Sequence, residues 1–366
     1  MSVMKIAIDA REYSTGTGRY MYRLLEHLDK LQSEHDFLIL LKPEDMDLYD
    51  YSNPRFTKVA CPHKEYTFDE QIGFKKQLNQ LKPDLVHFGM VQQPVLYKGK
   101  TITTMHDLTT VRFRNPTKNA LIFSIKQQVY KWVNKKVAKK SVAIITPSEY
   151  VKRDVANFTS VDPNKITVTY EAAGQIKDAP EPLIELDGKK FIMYLGRPQP
   201  HKNLWRLIQA FEQLSQQHPD LYLTLAGKPD KAYGQIQDKV KEAGINGVVF
   251  TGSITEGQLR WMYENCAVYV FPSLSEGFGL PGLEAMSHGA PVVSSNATCL
   301  PEIYGDAPMY FNPLDVNSIA LSINKVLGDD ALRQTMIEAG RQQAAKYSWQ
   351  RMAEQTLEIY NKSFSK

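Results

Sequence analysis

The sequence predicts an α/β protein built from two doubly wound parallel sheets in tandem. Short β-branched runs alternate with helix-periodic segments along the whole chain, the pattern expected of a parallel sheet covered by helices. The alternation lapses over residues 174–189, where Pro180, Pro182 and Gly188 collect, and then begins again. At 366 residues the chain exceeds one small core and suits two domains.

In the first half the strands are expected at residues 4–9, 37–41, 56–60, 85–88, 101–105 and 143–146, with a further segment at 166–169. Residues 19–31 read as an amphipathic helix, because Tyr20, Leu24, Leu25, Leu28 and Leu31 recur at helical spacing. In the second half, strands are expected at 191–195, 221–226, 248–251, 268–271 and 291–294, with a helix at 203–217. Thr255, followed three residues later by Gln258, has the spacing of a capping box, and the tail from 316 to 360 reads as mostly helical. The expected domains are 1–175, a linker at 176–189, and 190–347. Ligands of doubly wound sheets sit beyond the carboxyl ends of the strands. The site is therefore expected in a cleft between two facing sheets, built from loops that follow strands in both halves.

Composition narrows the classes. The apolar and charged fractions are those of a soluble globular protein, and a net charge of +4 gives no reason to expect nucleic acid as a partner. Cys61, Cys266 and Cys299 are isolated and odd in number, which fits a reducing cytoplasm rather than a disulfide framework or a metal cluster. The opening apolar run is too short for a signal peptide, and no run approaches the roughly 20 apolar residues of a membrane span.

Four loops carry the candidate chemistry. After the 268–271 strand, Glu276, Gly277, Phe278 and Gly279 form a glycine-rich turn. Pro281 and Glu284 follow in the next helix. Such a turn brings backbone N–H groups close to a ligand, and its two carboxylates can accept bonds from sugar hydroxyls; the alternative is a plain strand–turn–helix connection. After the 191–195 strand, Arg197 and Lys202 bracket a Pro-containing turn that leads into a helix, a set suited to a diphosphate unless both are ordinary surface charges. After the first strand, Gly16 and Gly18 open a helix. The third glycine of a dinucleotide fingerprint is replaced by Met21, and no acidic residue ends the second strand, which disfavours a nicotinamide-dependent oxidoreductase. Arg19 beside them pairs with a carboxylate or faces phosphate. His106 and Asp107 follow the 101–105 strand. His106 is read as orienting a hydroxyl, shuttling a proton or serving the core, and Asp107 as an acceptor-side base or a cap.

Taken in order, these motifs resemble the retaining glycosyltransferases of family four, which have the GT-B fold of two facing Rossmann-like domains. The segment 272–295, PSLSEGFGLPGLEAMSHGAPVVSS, resembles the family's E-x7-E signature; Gly196 to Lys202 resembles its GR-x4-K clamp; Gly16 to Tyr20 its G-x-G-R-Y loop; and His106-Asp107-Leu108 its HD(L) motif. The resemblance implies that Glu276 contacts the transferred sugar, Glu284 binds the donor ribose, and the backbone of Gly277, Phe278, Gly279 and Leu280 contacts sugar hydroxyls and phosphate. It also implies that Arg197 and Lys202 hold the diphosphate, that Gly16 and Gly18 close over it, and that His106 approaches sugar and acceptor. Residues 348–366 resemble the family's closing helix, which crosses back to the N-terminal domain. The chain departs at Gly282, where a bulkier aliphatic is usual, and at Tyr170-Glu171-Ala172, which replaces a Pro-Asn-Gly turn.

The implied function is retaining, metal-independent transfer of a hexose from a nucleotide-diphosphate sugar, GDP-mannose or a UDP-sugar, to a glycan or lipid-linked acceptor in polysaccharide or glycolipid synthesis. A nucleotide-sugar epimerase or a non-catalytic nucleotide-sugar binding protein of the same fold is the alternative. No cofactor is expected: Asp45-Met46-Asp47 spells a metal-binding DxD but is read as a surface loop. Within residues 118–140, Lys126, Lys131, Lys135, Lys136, Lys139 and Lys140 share a helical segment with Leu121, Ile125, Val129, Trp132 and Val137. The reading favoured is a core-packing helix with a solvated basic face, and the other is peripheral contact with the inner face of a membrane. The sequence leaves the oligomeric state open.

Overall fold

The computed structural model describes residues 3–13, 18–113 and 120–364. These fall into two compact units, one of residues 1–111, 125–171 and 348–366 and the other of residues 112–124 and 172–347.

The first unit is organised by a seven-stranded sheet: β1 (Lys5–Asp9), β2 (Asp36–Leu41), β3 (Phe56–Ala60), β4 (Leu85–Phe88), β5 (Thr101–Thr104), β6 (Ala143–Thr146) and β7 (Ile166–Val168). Its order is β3-β2-β1-β4-β5-β6-β7, with every pair parallel. Between the strands run α1 (Arg19–Leu28), α2 (Lys75–Leu81), α3 (Thr109–Arg112), α4 (Ala120–Lys140) and α5 (Glu149–Thr159). The inner strands are apolar because both faces are covered; Ile6, Ala7 and Ile8 are fully buried. The winding reverses between β1 and β4, which creates a switch point at their carboxyl ends.

The second unit repeats this plan with six parallel strands: β8 (Lys190–Leu195), β9 (Leu221–Ala226), β10 (Val248–Gly252), β11 (Val268–Phe271), β12 (Val292–Ser295) and β13 (Met309–Phe311). Their order is β10-β9-β8-β11-β12-β13, so the switch point lies between β8 and β11. The helices are α6 (Leu204–Ser215), α7 (Lys231–Glu242), α8 (Glu256–Asn265), α9 (Leu280–Ser287), α10 (Leu300–Tyr304), α11 (Val316–Leu327) and α12 (Asp330–Ala344). Thr255 and Gln258 form the reciprocal capping box at the start of α8. β13 is too short for its alternation to be seen in the sequence.

The last helix, α13 (Trp349–Phe364), belongs to the first unit and packs along α1. Polar contacts help fix it there: Asn361 Oδ1 lies 2.7 Å from His35 Nε2, and the Tyr360 hydroxyl lies 2.6 Å from His87 Nδ1.

Two expectations need correction. Of the apolar positions of α4 expected to pack, Val137 does so, together with Tyr130, Val133, Asn134 and Ala138, whereas Ile125, Val129 and Trp132 are each more than half exposed and the Leu121 side chain lies outside the described residues. Both sets have helical spacing, so periodicity alone could not say which one faces the sheet. The Asp45-Met46-Asp47 loop is also not simply surface. Asp45 ends a short 3-10 turn and is buried, while Asp47 is exposed, so the two carboxylates do not present a common face.

Candidate active site

In the second unit, both sides of the switch point carry chemistry. The turn after β8 runs from Gly196 to Lys202 and hands over to α6 through Asn203, whose left-handed backbone (φ 59°) ends the turn. The loop after β11 runs from Pro272 to Gly279 and starts α9. The two loops are stitched together: Asn203 Nδ2 donates to the carbonyls of Pro272 (3.1 Å) and Pro313 (2.7 Å), and the Leu274 N–H donates to the carbonyl of His201 (2.7 Å). Lys202 Nζ reaches Glu276 Oε1 at 2.6 Å, with both side chains largely buried. The two residues expected to hold diphosphate and sugar are thus neighbours.

Glu276 is held at its backbone from the segment after β12. Its N–H donates to Thr298 Oγ1 (3.1 Å), and the Cys299 thiol donates to its carbonyl (3.3 Å). Gly279 has φ +92°, a conformation that side-chain-bearing residues rarely adopt, and its carbonyl accepts the Tyr304 hydroxyl at 2.5 Å. Tyr304 also explains Gly282, since a Cβ there would fall 2.2 Å from the Tyr304 oxygen. Phe278 is buried with its ring edge against Tyr347, so the loop offers backbone there, not side chain. Leu280 begins α9 half-buried, and Glu284 is buried within it. Arg197 is exposed.

In the first unit, Gly18 caps α1, and a Cβ there would meet the carbonyl oxygens of Glu12 and Tyr13 at 2.0 and 2.3 Å. Only glycine lets these backbones approach so closely. Gly16 lies outside the described residues. His106, just past β5, is hydrogen-bonded at both ring nitrogens, by Gly89 O at 3.0 Å from Nε2 and Glu171 Oε1 at 3.2 Å from Nδ1. Burial opposes the charged imidazole, but the Glu171 carboxylate and the Gly89 carbonyl outweigh it, so the His106 pKa is raised above the ordinary histidine value. Asp107 Oδ1 accepts the Thr109 N–H at 2.7 Å, the contact of a turn cap.

Behind His106 runs a buried polar chain. The Tyr20 ring meets the His106 ring edge-on at 4.8 Å, the Tyr20 hydroxyl lies 3.1 Å from Thr104 Oγ1, and Thr104 Oγ1 lies 2.8 Å from His87 Nε2. Burial, with the nearby His106 adding to it, pushes the His87 pKa down to about 3. Beside the β1–β4 switch point, a cavity of about 20 Å³, roughly one water molecule, is lined by Asp9, Arg11, Glu12, Tyr20, Met21, Glu65, Gly89 and Met90. Arg11 is buried there in a two-point bond to Asp9, with Glu70 at 3.0 Å.

The sequence marks Glu171 only as part of a turn that departs from the family's pattern, not as a site residue, and it singles out neither Thr298 nor Tyr304. The last two reach the donor loop from elements after β12, and no local spacing announces them. Asn203 was visible only as the residue that follows the clamp lysine and opens the expected helix.

Residues 14–172 match the family described as Glycosyltransferase Family 4, and residues 175–343 match Glycosyl transferases group 1. Among curated relatives, the O-antigen chain mannosyltransferase B of Escherichia coli is 31% identical over 229 residues, 59% of this chain and 60% of that protein. The serotype-specific mannosyltransferase WbdA of E. coli is 32% identical over 235 residues, 60% of this chain and 29% of that protein. The match therefore spans less than two thirds of the length of either relative. Sucrose-phosphate synthase from Thermosynechococcus elongatus superposes with a TM-score of 0.79 at 20% identity, covering 99% of both chains. Anabaena Alr3699/HepE, solved with UDP-glucose, does so with a TM-score of 0.75 at 16% identity, covering 98% of this chain and 100% of that one. The two family matches together span nearly the whole chain, and with two parallel-sheet units of this topology the chain belongs to the GT-B glycosyltransferases of the group 1 and family 4 type.

Proposed function

We propose that the chain is a retaining hexosyltransferase that takes its sugar from a nucleoside-diphosphate donor bound at the second unit's switch point. The observation that carries this reading is the meeting of Lys202 with Glu276, from the loops that follow the adjacent strands β8 and β11. A cation for the departing diphosphate thus stands beside a carboxylate for the sugar hydroxyls. Arg197 adds a second, exposed cation, and Glu284 in α9 takes the ribose. On this reading the charge of the leaving group is met by these two side chains and no metal is needed, so transfer is expected to survive chelation by EDTA.

The acceptor hydroxyl attacks the anomeric carbon on the face the diphosphate leaves. The C–O bond to the acceptor forms as the bond to phosphate breaks, and a leaving phosphate oxygen takes the acceptor proton. The relatives named as mannosyltransferases favour mannose, from GDP-mannose, with a UDP-hexose next. The acceptor is a glycan or a lipid-linked sugar, served by the first unit. If it is lipid-linked, α4 is the part of that unit that meets an anionic bilayer, with Ile125, Val129 and Trp132 exposed among Lys126, Lys131, Lys135, Lys136 and Lys139. No helix among the described residues is long and apolar enough to cross a membrane.

A thermal-shift panel of GDP-, UDP-, TDP- and ADP-sugars tests the donor, since a ligand at 100 times its dissociation constant stabilises by about 2.7 kcal/mol. NMR of the product with the selected donor then reads the anomer. Retention supports the proposal; an inverted product, or conversion of the donor to its epimer without an acceptor, refutes it.

A further inference from the structure

His106 is the one site residue of the first unit whose two ring nitrogens are both accounted for. The Gly89 carbonyl can only accept, which places a proton on Nε2. The Glu171 carboxylate at Nδ1 completes a ring that donates from both nitrogens. The two residues are brought together by the sheet, His106 following β5 and Glu171 following β7 two strands away, and the Glu171 side chain is buried. The other groups facing the ring are Asp107 beside it, Tyr20 on α1, whose ring packs edge-on, and His87 on β4, which burial keeps neutral.

We infer that Glu171 is a positioning residue for the reaction, holding His106 as a fixed, doubly protonated imidazolium. This rests on the reading of His106 as the residue that approaches sugar and acceptor. A ring held in this way presents a fixed positive charge to the reacting groups and has no lone pair with which to act as a base. Transfer should therefore fail as pH rises through the His106 titration, not as pH falls through it, because the charged form is the one the pair stabilises.

The test is an NMR titration of isotope-labelled imidazoles in the full-length, donor-free protein, with His106 assigned by comparison with His106→Asn. In the wild type, His106 is expected to titrate above the ordinary value of about 6.5, with both nitrogens protonated at neutral pH. In the isosteric Glu171→Gln, the midpoint is expected to fall by about one pH unit or more. The alkaline limb of the transfer rate should move down with it, and Glu171→Asp should restore part of the shift. A neutral His106 at pH 7 in the wild type overturns the inference without needing a variant. An alkaline limb that stays put while the imidazole titration moves overturns the positioning role. Absence of transfer with every donor would count against the proposed function, and the imidazole titration would still decide the pair.

Discussion

Glu276 occupies two roles in the same small space. Its carboxylate accepts from Lys202 Nζ at 2.6 Å, so a diphosphate that binds there must draw that lysine away or share it. Glu276→Gln is therefore expected to act in opposite directions on two observables. Transfer should fall about 10- to 100-fold, through loss of a charged hydrogen bond to the sugar. Free nucleoside diphosphate should bind several-fold tighter, since releasing a partly buried ion pair is worth on the order of 1 kcal/mol. Steady-state kinetics and calorimetric titration of GDP or UDP separate the two. At Gly282 the constraint is steric. Gly282→Ala places a Cβ against the Tyr304 ring and should destabilise by about 1–3 kcal/mol, measured by denaturant unfolding. Coupling to Tyr304→Leu in a double-mutant cycle would confirm the contact. The departure from the family's usual aliphatic residue is thus matched by a tyrosine supplied 22 residues later.

At the scale of elements, the inner strands were legible because parallel strands buried on both faces must be apolar runs; β4, β6, β9 and β11 begin and end where their apolar runs do. The candidate loops were legible because each glycine turn or charged pair directly follows such a run. What could not be read was which of two helical faces packs, as α4 shows, and which distant residue answers a loop, as Glu171 does for His106. Those are settled by tertiary contacts that leave no periodic trace. The exposed face of α4 makes its own prediction: sedimentation with phosphatidylserine-containing vesicles should weaken in Trp132→Ala and in added salt. The docking of α13 makes another. His87, which bonds Tyr360 on α13, has a pKa depressed to about 3 from the 6.5 of an exposed imidazole. The unfolded chain then binds the proton more readily, so the contribution is complete above about pH 6.5 and is lost as pH falls toward 3. The slope is about 1.4 kcal/mol per pH unit. Denaturant midpoints across this range should fall less steeply in His87→Gln than in the wild type.

The molecule as a whole consists of two copies of one architectural idea, each with a switch point where strand winding reverses. In each unit the candidate residues gather at the carboxyl ends beside that point or one strand over: Gly18, Gly89 and His106 after β1, β4 and β5, and Arg197, Lys202 and Glu276 after β8 and β11. The first unit offers a neutral histidine, one whose pKa is raised, and a small cavity whose buried Arg11 is already paired with Asp9 and Glu70; the second offers an exposed Arg197, Lys202 and a glycine-rich loop. That division of chemistry is the reason for assigning the nucleotide-sugar to the second unit. It is tested most directly by calorimetric titration of the donor selected in the panel into wild type, Arg197→Ala and Lys202→Ala. The account predicts one site in the wild type and about 10- to 100-fold weaker binding in each variant, the effect of removing a charged hydrogen bond to phosphate. Unchanged affinity in both variants would contradict it.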